Sequence, residues 1–212
     1  MRIYWALVAT SVVALLGDVA TAGVVSQRFN IDSKMMLNNT TLLSIGTNAP
    51  DFTPIVANVG SATYGSTLST LDSSDTLLRI ASTMAPAAAF RGSSSGNGRY
   101  DLLAGTNVSV TWDWAHTTDS GGWRVVRNSD DSVVASLTFS QGQFTATGGS
   151  FSTTASGNAI VGLSADGTYR FEAFYFGRNN PTSSVVEFSF VPAPGALALV
   201  LAAAGRGRSR RR

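Results

Sequence analysis

The chain has 212 residues, no cysteine and a single histidine, and 44% of its residues are hydrophobic. Its formal charge of +2 comes from the two ends, since residues 23–191 carry nine Lys and Arg against twelve Asp and Glu, a charge of −3. A nucleic-acid-binding domain needs clustered basic residues to neutralise phosphates, so that class is excluded. The missing cysteines also exclude disulfides and, with one histidine, a zinc site.

The N-terminus has the three-part layout of a secretory signal peptide. One positive charge precedes an apolar run over residues 3–16, and the small-residue triplet Ala20-Thr21-Ala22 follows. We predict cleavage between Ala22 and Gly23. Residues 1–22 are then the signal peptide, and the protein is exported.

The central part of the chain is predicted to be all-β. It is rich in Ser, Thr and Gly and poor in Glu and Lys, a composition that suits strands and tight turns better than surface helices. Period-2 alternation is clearest in residues 107–116, where two valines, Trp112 and Trp114 share one face and are expected in the core. The runs that read as strands are residues 23–31, 41–46, 53–59, 76–82, 107–116, 122–128, 132–140, 142–148, 158–165, 167–177 and 183–191.

Short strands at near-regular spacing predict an antiparallel Greek-key β-sandwich over residues 23–190, flanked by the signal helix and a short C-terminal apolar helix. Residues 163–169 (LSADGTY) resemble the tyrosine corner of immunoglobulin-like sandwiches, in which the Tyr hydroxyl bonds back to the upstream backbone. A jelly roll is the alternative topology. Residues 85–97 are predicted to form a long flexible loop, with Gly-Asn-Gly at 96–98 as a turn.

The last 22 residues combine a proline motif, an apolar run and an arginine cluster. Residues 195–205 would span about 16 Å as a helix, about half of a hydrocarbon core of about 30 Å. The basic end is expected to stay in the cytoplasm by the positive-inside rule. The motif is Val191, Pro192, Ala193 and Pro194, and the basic residues are Arg206, Arg208, Arg210, Arg211 and Arg212.

This tail, residues 191–212, resembles the PEP-CTERM sorting signal of Gram-negative bacteria. Ala193 stands where that family usually has Glu. The resemblance implies recognition of the Pro-x-Pro motif by an exosortase in the inner membrane, with residues 195–205 as the transmembrane helix and the arginines as the cytoplasmic stop. It also implies passage from the inner membrane to the cell surface or the extracellular matrix. It covers only the tail and implies nothing about the central domain.

Catalytic residues are not predicted. His116 is the only candidate base for a serine–histidine–aspartate triad, and no G-x-S-x-G motif singles out a serine. Glycoside hydrolysis needs two carboxylates facing each other across a cleft. The two glutamates, Glu172 and Glu187, fall on outward strand faces, where Arg170 is available to pair with either.

Two kinds of binding site remain as alternatives. Asp130 and Asp131 in a turn-forming cluster are the candidate ligands of a structural calcium ion, with ordinary Asx-turns as the other interpretation. Trp123 and Tyr175 are the candidate sugar-contact residues on an exposed face. No other cofactor is predicted.

The sequence therefore predicts an exported, non-catalytic β-sandwich with a structural or adhesive role in the bacterial extracellular matrix. The expected partners are the exosortase and the inner membrane during export, and an extracellular polysaccharide afterwards. The alternative is an extracellular carbohydrate-binding module.

If the tail is a sorting label, the mature protein recovered from the cell surface is expected to lack the arginine run. Mass spectrometry of the intact mature protein measures this directly. A mature surface protein that still carries residues 206–212 contradicts the prediction.

Overall fold

Thirteen β-strands and no helix make up the part of the chain that the computed structural model describes, residues 29–178 and 181–191. The prediction of an all-β chain is confirmed for this part. The strands are β1 (Phe29–Leu37), β2 (Thr40–Ala49), β3 (Ile55–Ser61), β4 (Gly65–Ser74), β5 (Leu77–Pro86), β6 (Arg91–Leu102), β7 (Asn107–Trp114), β8 (Ser120–Arg127), β9 (Ser132–Ser140), β10 (Gln143–Thr147), β11 (Ser156–Gly162), β12 (Gly167–Arg178) and β13 (Thr182–Val191).

The strands form two antiparallel sheets. The seven-stranded sheet has the order β10-β9-β8-β12-β6-β1-β2, and the six-stranded sheet has the order β11-β7-β13-β5-β4-β3. The edge strands β2 and β3 lie on one flank, where the Thr47 hydroxyl of β2 donates to the Val56 carbonyl of β3 at 3.5 Å. The edges β10 and β11 lie on the other flank.

The two sheets face each other across one aromatic core. The Trp123 ring of β8 lies 5.8 Å from the Trp112 ring of β7 and 6.4 Å from the Phe188 ring of β13, which joins the two layers. Trp112 and Trp114 are buried, as their alternation predicted. Burying a side chain of this size stabilises the fold by about 1.5–3 kcal/mol, so hydrophobic packing holds the sheets together without disulfides.

The expectation of a flexible loop over residues 85–97, with a turn at 96–98, is wrong. Most of the segment belongs to β6, a central strand paired with both β1 and β12. From Gly92 to Gly98 the inward residues of β6 are small, because large side chains of neighbouring strands fill the space above them. A Cβ at Gly96 would lie 2.9 Å from Ile80, and one at Gly98 would lie 2.9 Å from the Phe29 ring. Glycines that look like a loop in sequence therefore mark close packing.

Strand β4 was also not predicted, because two of its three buried residues, Thr67 and Ser69, are polar. Ser69 is fully buried and sits in a chain of hydroxyls: it lies 2.6 Å from the Ser33 oxygen and donates to Ser94 at 2.8 Å. Ser33 in turn donates to the Ala57 carbonyl at 2.7 Å. A buried hydroxyl is tolerated when it is hydrogen-bonded, so serine here occupies positions that the sequence pattern reserves for apolar residues.

The hydrogen bond expected of a tyrosine corner is present at Tyr169. The Tyr169 hydroxyl donates to the Ala165 carbonyl at 2.7 Å, across the turn that enters β12. This bond satisfies a hydroxyl whose side chain is otherwise buried. It fixes the turn relative to the strand that carries most of the outward-facing charged and aromatic residues discussed below.

The predicted terminal helices fall outside the described residues, because the predicted signal peptide covers residues 1–22 and the predicted apolar helix of the tail covers residues 195–205. Across residues 29–178 and 181–191, no helix is long and apolar enough to cross a membrane.

Substituting Gly96→Val is expected to destabilise the protein by about 1–3 kcal/mol, because the added side chain overpacks the core against Ile80. Urea unfolding followed by tryptophan fluorescence measures the change. Ser95→Val is the matched control, since Ser95 is half-buried in the opposite phase of the same strand; its expected effect is below about 0.5 kcal/mol. Equal stability of the Gly96→Val variant and the parent protein would contradict the packing argument.

Candidate functional site

Two phenylalanines of β12 point away from the core, on the outer face of the seven-stranded sheet. Phe174 and Phe176 are half-buried and share the outward phase of Arg170 and Glu172. The Arg124 guanidinium lies over the Phe174 ring at 5.2 Å. The residues paired with the two rings on β8 and β6 are small: Ser120, Gly122, Ser93 and Ser95. Small neighbours leave the Phe176 ring accessible at one end of this face.

A surface pocket of about 250 Å³ lies at that end of the sheet. Five chain segments converge on it: the β1–β2 turn, the start of β6, the β7–β8 connection, the β9–β10 turn and the end of β12. We call this site the polar pocket and define it by the residues that these segments contribute with Phe176, namely Asn39, Arg91, Asp119, Gln141 and Arg178.

Backbone geometry holds the turns around the polar pocket in place. Asn39 (φ 65°) and Gln141 (φ 51°) adopt left-handed conformations, which Asn tolerates better than most residues because its side chain can hydrogen-bond locally. The Gln141 amide donates to the Asp119 carbonyl at 2.7 Å, and the next amide, of Gly142, donates to the Thr117 carbonyl at 2.7 Å. Two backbone hydrogen bonds therefore connect the β9–β10 turn to the β7–β8 connection on this side of the pocket.

Arginine dominates the electrostatics of the polar pocket. Arg91 and Arg178 are directly opposite each other in the β6–β12 register. Arg178 Nε lies 2.9 Å from Asp119 Oδ1, whereas Arg91 Nη1 donates to the neutral Asn39 Oδ1 at 3.0 Å. Among the described residues, no carboxylate lies within 4 Å of the Arg91 guanidinium. The pocket thus carries a net positive charge in a domain whose overall charge is negative.

The two predicted sugar-contact residues are not at the surface, and that prediction is wrong. Trp123 is 0% exposed and Tyr175 is 2% exposed. The Tyr175 hydroxyl donates to the His116 carbonyl at 2.8 Å and packs inside the sandwich. Successive strand residues point to opposite faces, so the accessible ring is that of Phe176, one position further along.

The candidate calcium ligands are engaged in local hydrogen bonds and an ion pair. Asp130 Oδ1 accepts from the Ser132 hydroxyl at 2.7 Å and from its amide at 3.1 Å. These two bonds, the hydroxyl first, hold the pKa of Asp130 below its usual value. Asp131 Oδ1 lies 3.3 Å from Arg170 Nη1. Within the described ranges, no group of three or more His, Asp or Glu side chains is placed to hold a metal ion.

The catalytic candidates lie apart. Glu172 is on the outer face of the seven-stranded sheet and accepts from Arg170 Nε at 2.6 Å, while Glu187 belongs to the six-stranded sheet. They are not cross-strand neighbours and do not form a carboxylate pair. His116 is exposed in the connection between β7 and β8.

Of the residues assigned to the predicted export signals, the structure describes only Val191. Val191 ends β13 and is 49% exposed. The rest of the sorting motif, the arginine cluster and the predicted cleavage site at Ala20, Ala22 and Gly23 lie outside the described residues.

Sequence reasoning missed the residues of the polar pocket. The signal for Phe176 was present, because residues 167–177 alternate and place Phe176 opposite the core-facing phase of Tyr175. No comparable signal marked Arg91, which lay in the predicted loop over residues 85–97.

No family model matches this chain, and a search of curated proteins finds no match.

Stability is expected to fall at alkaline pH, because two buried tyrosines resist ionisation. Burial raises the pKa of Tyr175. Burial is also the main cause that raises the pKa of Tyr100, and the negative charge of Asp75 adds to it. Below the pKa of a tyrosine in the unfolded chain, about 10, the hydroxyl is neutral in both states and stability does not change. As the pH rises above this pKa towards the higher pKa of the folded state, ionisation favours the unfolded chain and stability falls. Urea midpoints are expected to be lower at about pH 11 than at about pH 8.

Tyr100→Phe is the informative variant for this pH dependence. It removes the ionisable hydroxyl, together with its 3.0 Å bond to the Leu77 carbonyl. The variant should be less stable near neutral pH but lose less stability on going to alkaline pH. A loss as large as that of the parent protein would show that Tyr100 is not responsible.

Proposed function

We propose that the protein is an exported, non-catalytic structural protein of the bacterial cell surface or extracellular matrix, whose copies associate through the edges of their sheets. The observation that carries the proposal is the chemistry of the four edge strands. None of them contains a charged residue or a proline: β2 is TTLLSIGTNA, β3 is IVANVGS, β10 is QFTAT and β11 is SGNAIVG.

Edge strands present unpaired backbone N–H and C=O groups, and proteins usually protect them with lysine, proline or charged residues. This chain places its charged residues on interior strands instead: β12 alone has Arg170, Glu172 and Arg178. Charge-free edges with free backbone groups favour pairing with another strand.

Exposed apolar side chains are concentrated on the same edges. Of the seven large hydrophobic side chains that are exposed in the described residues, four lie on edge strands. These four are Leu42 (37% exposed), Ile45 (43%), Val56 (54%) and Ile160 (74%). Burying these side chains against a second copy would add a hydrophobic contribution to the backbone hydrogen bonds.

The edges occur in pairs on opposite flanks, β2 with β3 and β10 with β11. A molecule that can pair on two flanks can join more than one neighbour and build an extended assembly. The signal peptide and the PEP-CTERM-like tail support a location outside the cytoplasm, where such an assembly would be part of a matrix.

We assign a Greek-key topology to the sandwich as part of this proposal. The last two strands insert into the sheet centres, with β12 between β8 and β6 and β13 between β7 and β5. The hydrogen bond of Tyr169 supports the immunoglobulin-like alternative. The strand number exceeds the nine or so of an immunoglobulin variable domain and the eight or so of a jelly roll.

Carbohydrate binding is the second candidate function, and the polar pocket favours it. An accessible aromatic ring surrounded by arginine, amide and hydroxyl groups is the combination expected for a site that orients a small polar ligand.

If the edges mediate assembly, Ile45→Lys is expected to weaken self-association about tenfold or more, because it places an ammonium group in the interface. Sedimentation velocity of the purified full chain over a range of concentrations measures the change. Thr83→Lys is the matched control: it adds the same charge at an exposed position of the interior strand β5.

The proposal fails if the parent protein stays monomeric over the whole concentration range. It also fails if Thr83→Lys weakens association as much as Ile45→Lys, since the effect would then come from net charge.

A further inference from the structure

The arginine pair of the polar pocket is costly for the fold. Like charges directly opposite each other on neighbouring strands destabilise a sheet, yet Arg91 and Arg178 occupy such positions in a domain with only nine basic residues. The other opposed pair, Arg99 and Arg170, is relieved by carboxylates, since Arg170 contacts both Glu172 and Asp131. Among the described residues, Asp119 is the only carboxylate that lines the polar pocket.

Both guanidinium groups of the polar pocket are oriented by neighbours. Asp119 contacts Nε of Arg178, and Asn39 accepts from one terminal nitrogen of Arg91. A guanidinium has five N–H donors in a planar fork that matches the two oxygens of a carboxylate. Among the described residues, these contacts engage one nitrogen of each guanidinium, which leaves further N–H donors for a ligand.

The rest of the polar pocket suits a sugar ring. The half-buried Phe176 ring offers an apolar surface against which the C–H face of a pyranose can pack, and Gln141 and neighbouring hydroxyls can bond to sugar hydroxyls. A volume of about 250 Å³ is below the range of about 300–1,000 Å³ typical of sites for larger ligands. A volume below this range favours a ligand the size of one monosaccharide unit, with the rest of a polymer outside the pocket.

We propose that the polar pocket binds the carboxylate of a uronic acid unit in an acidic extracellular polysaccharide, with Arg91 as the main charged contact. The inference rests on the second proposed function, carbohydrate binding, and is independent of edge assembly. Arg178 supplies additional donors, and Phe176 packs against the ring of the same sugar unit.

Isothermal titration calorimetry of the full chain at low salt tests the proposal with three polymers. Polygalacturonate is the probe, its fully methyl-esterified form keeps the sugar and removes the charge, and dextran sulfate supplies negative charge without carboxylates. Binding is expected to polygalacturonate, with at least about tenfold weaker binding to the ester, because a charge-assisted hydrogen bond is lost.

Variants distinguish binding at the polar pocket from general electrostatic attraction between the polymer and the protein. Arg91→Gln is expected to weaken polygalacturonate binding about tenfold or more, and Arg91→Lys to recover only part of it, because lysine keeps the charge and loses the fork. Arg99→Gln is the matched control, with the same charge change on the same strand outside the polar pocket. Urea midpoints of all variants establish that they are folded.

Each remaining outcome overturns a distinct claim. Equal binding to polygalacturonate and its ester would remove the carboxylate contact and leave carbohydrate binding in place. Binding to none of the polymers would remove carbohydrate binding altogether. Tighter binding to dextran sulfate, or an equal loss in Arg99→Gln, would reduce the site to general charge attraction. Sedimentation of Arg91→Gln should match the parent protein, which keeps the test separate from edge assembly.

Discussion

The packing of large core side chains against the glycines on the inner face of β6 is the contact on which the rest of the structure depends. The inward phase of this strand has glycine at positions 92, 96 and 98, where Met84, Ile80 and the Phe29 ring come within 3 Å of a hypothetical Cβ. Side chains of both sheets use this space, so the strand sets how closely the layers approach. Because close-packed interiors tolerate little added volume, few other residues fit there.

The position of β6 also determines the surface chemistry. Pairing with β12 brings Arg91 opposite Arg178 and places Phe176 beside Ser93. A shift of this register by one residue would turn every side chain of the strand to the other face. The pairing that closes the core therefore also brings the residues of the polar pocket together at the end of the two strands. Two arginines and Asp119 leave the pocket with a net charge of +1.

The two proposed surfaces, the sheet edges and the polar pocket, differ in position and in the interactions that they offer. The edges offer free backbone groups and exposed apolar side chains such as Ile160. The polar pocket offers oriented donors and one aromatic ring at the end of a sheet. A protein with both could join its neighbours through strand pairing while holding an acidic polymer, which is a coherent arrangement for a matrix component outside the cell.

The sequence by itself determined the β class, the core-facing positions of Trp112 and Trp114, and the hydrogen bond of Tyr169, since alternation and turn chemistry are local properties. It also predicts export signals, whose residues lie outside the described part of the chain apart from Val191. Only the tertiary structure decided that β6 is a central strand, because its glycines and the buried Ser69 of β4 depend on partners distant in sequence. The polar pocket and the identity of the charge-free edges followed from strand order and register, which no local pattern encodes.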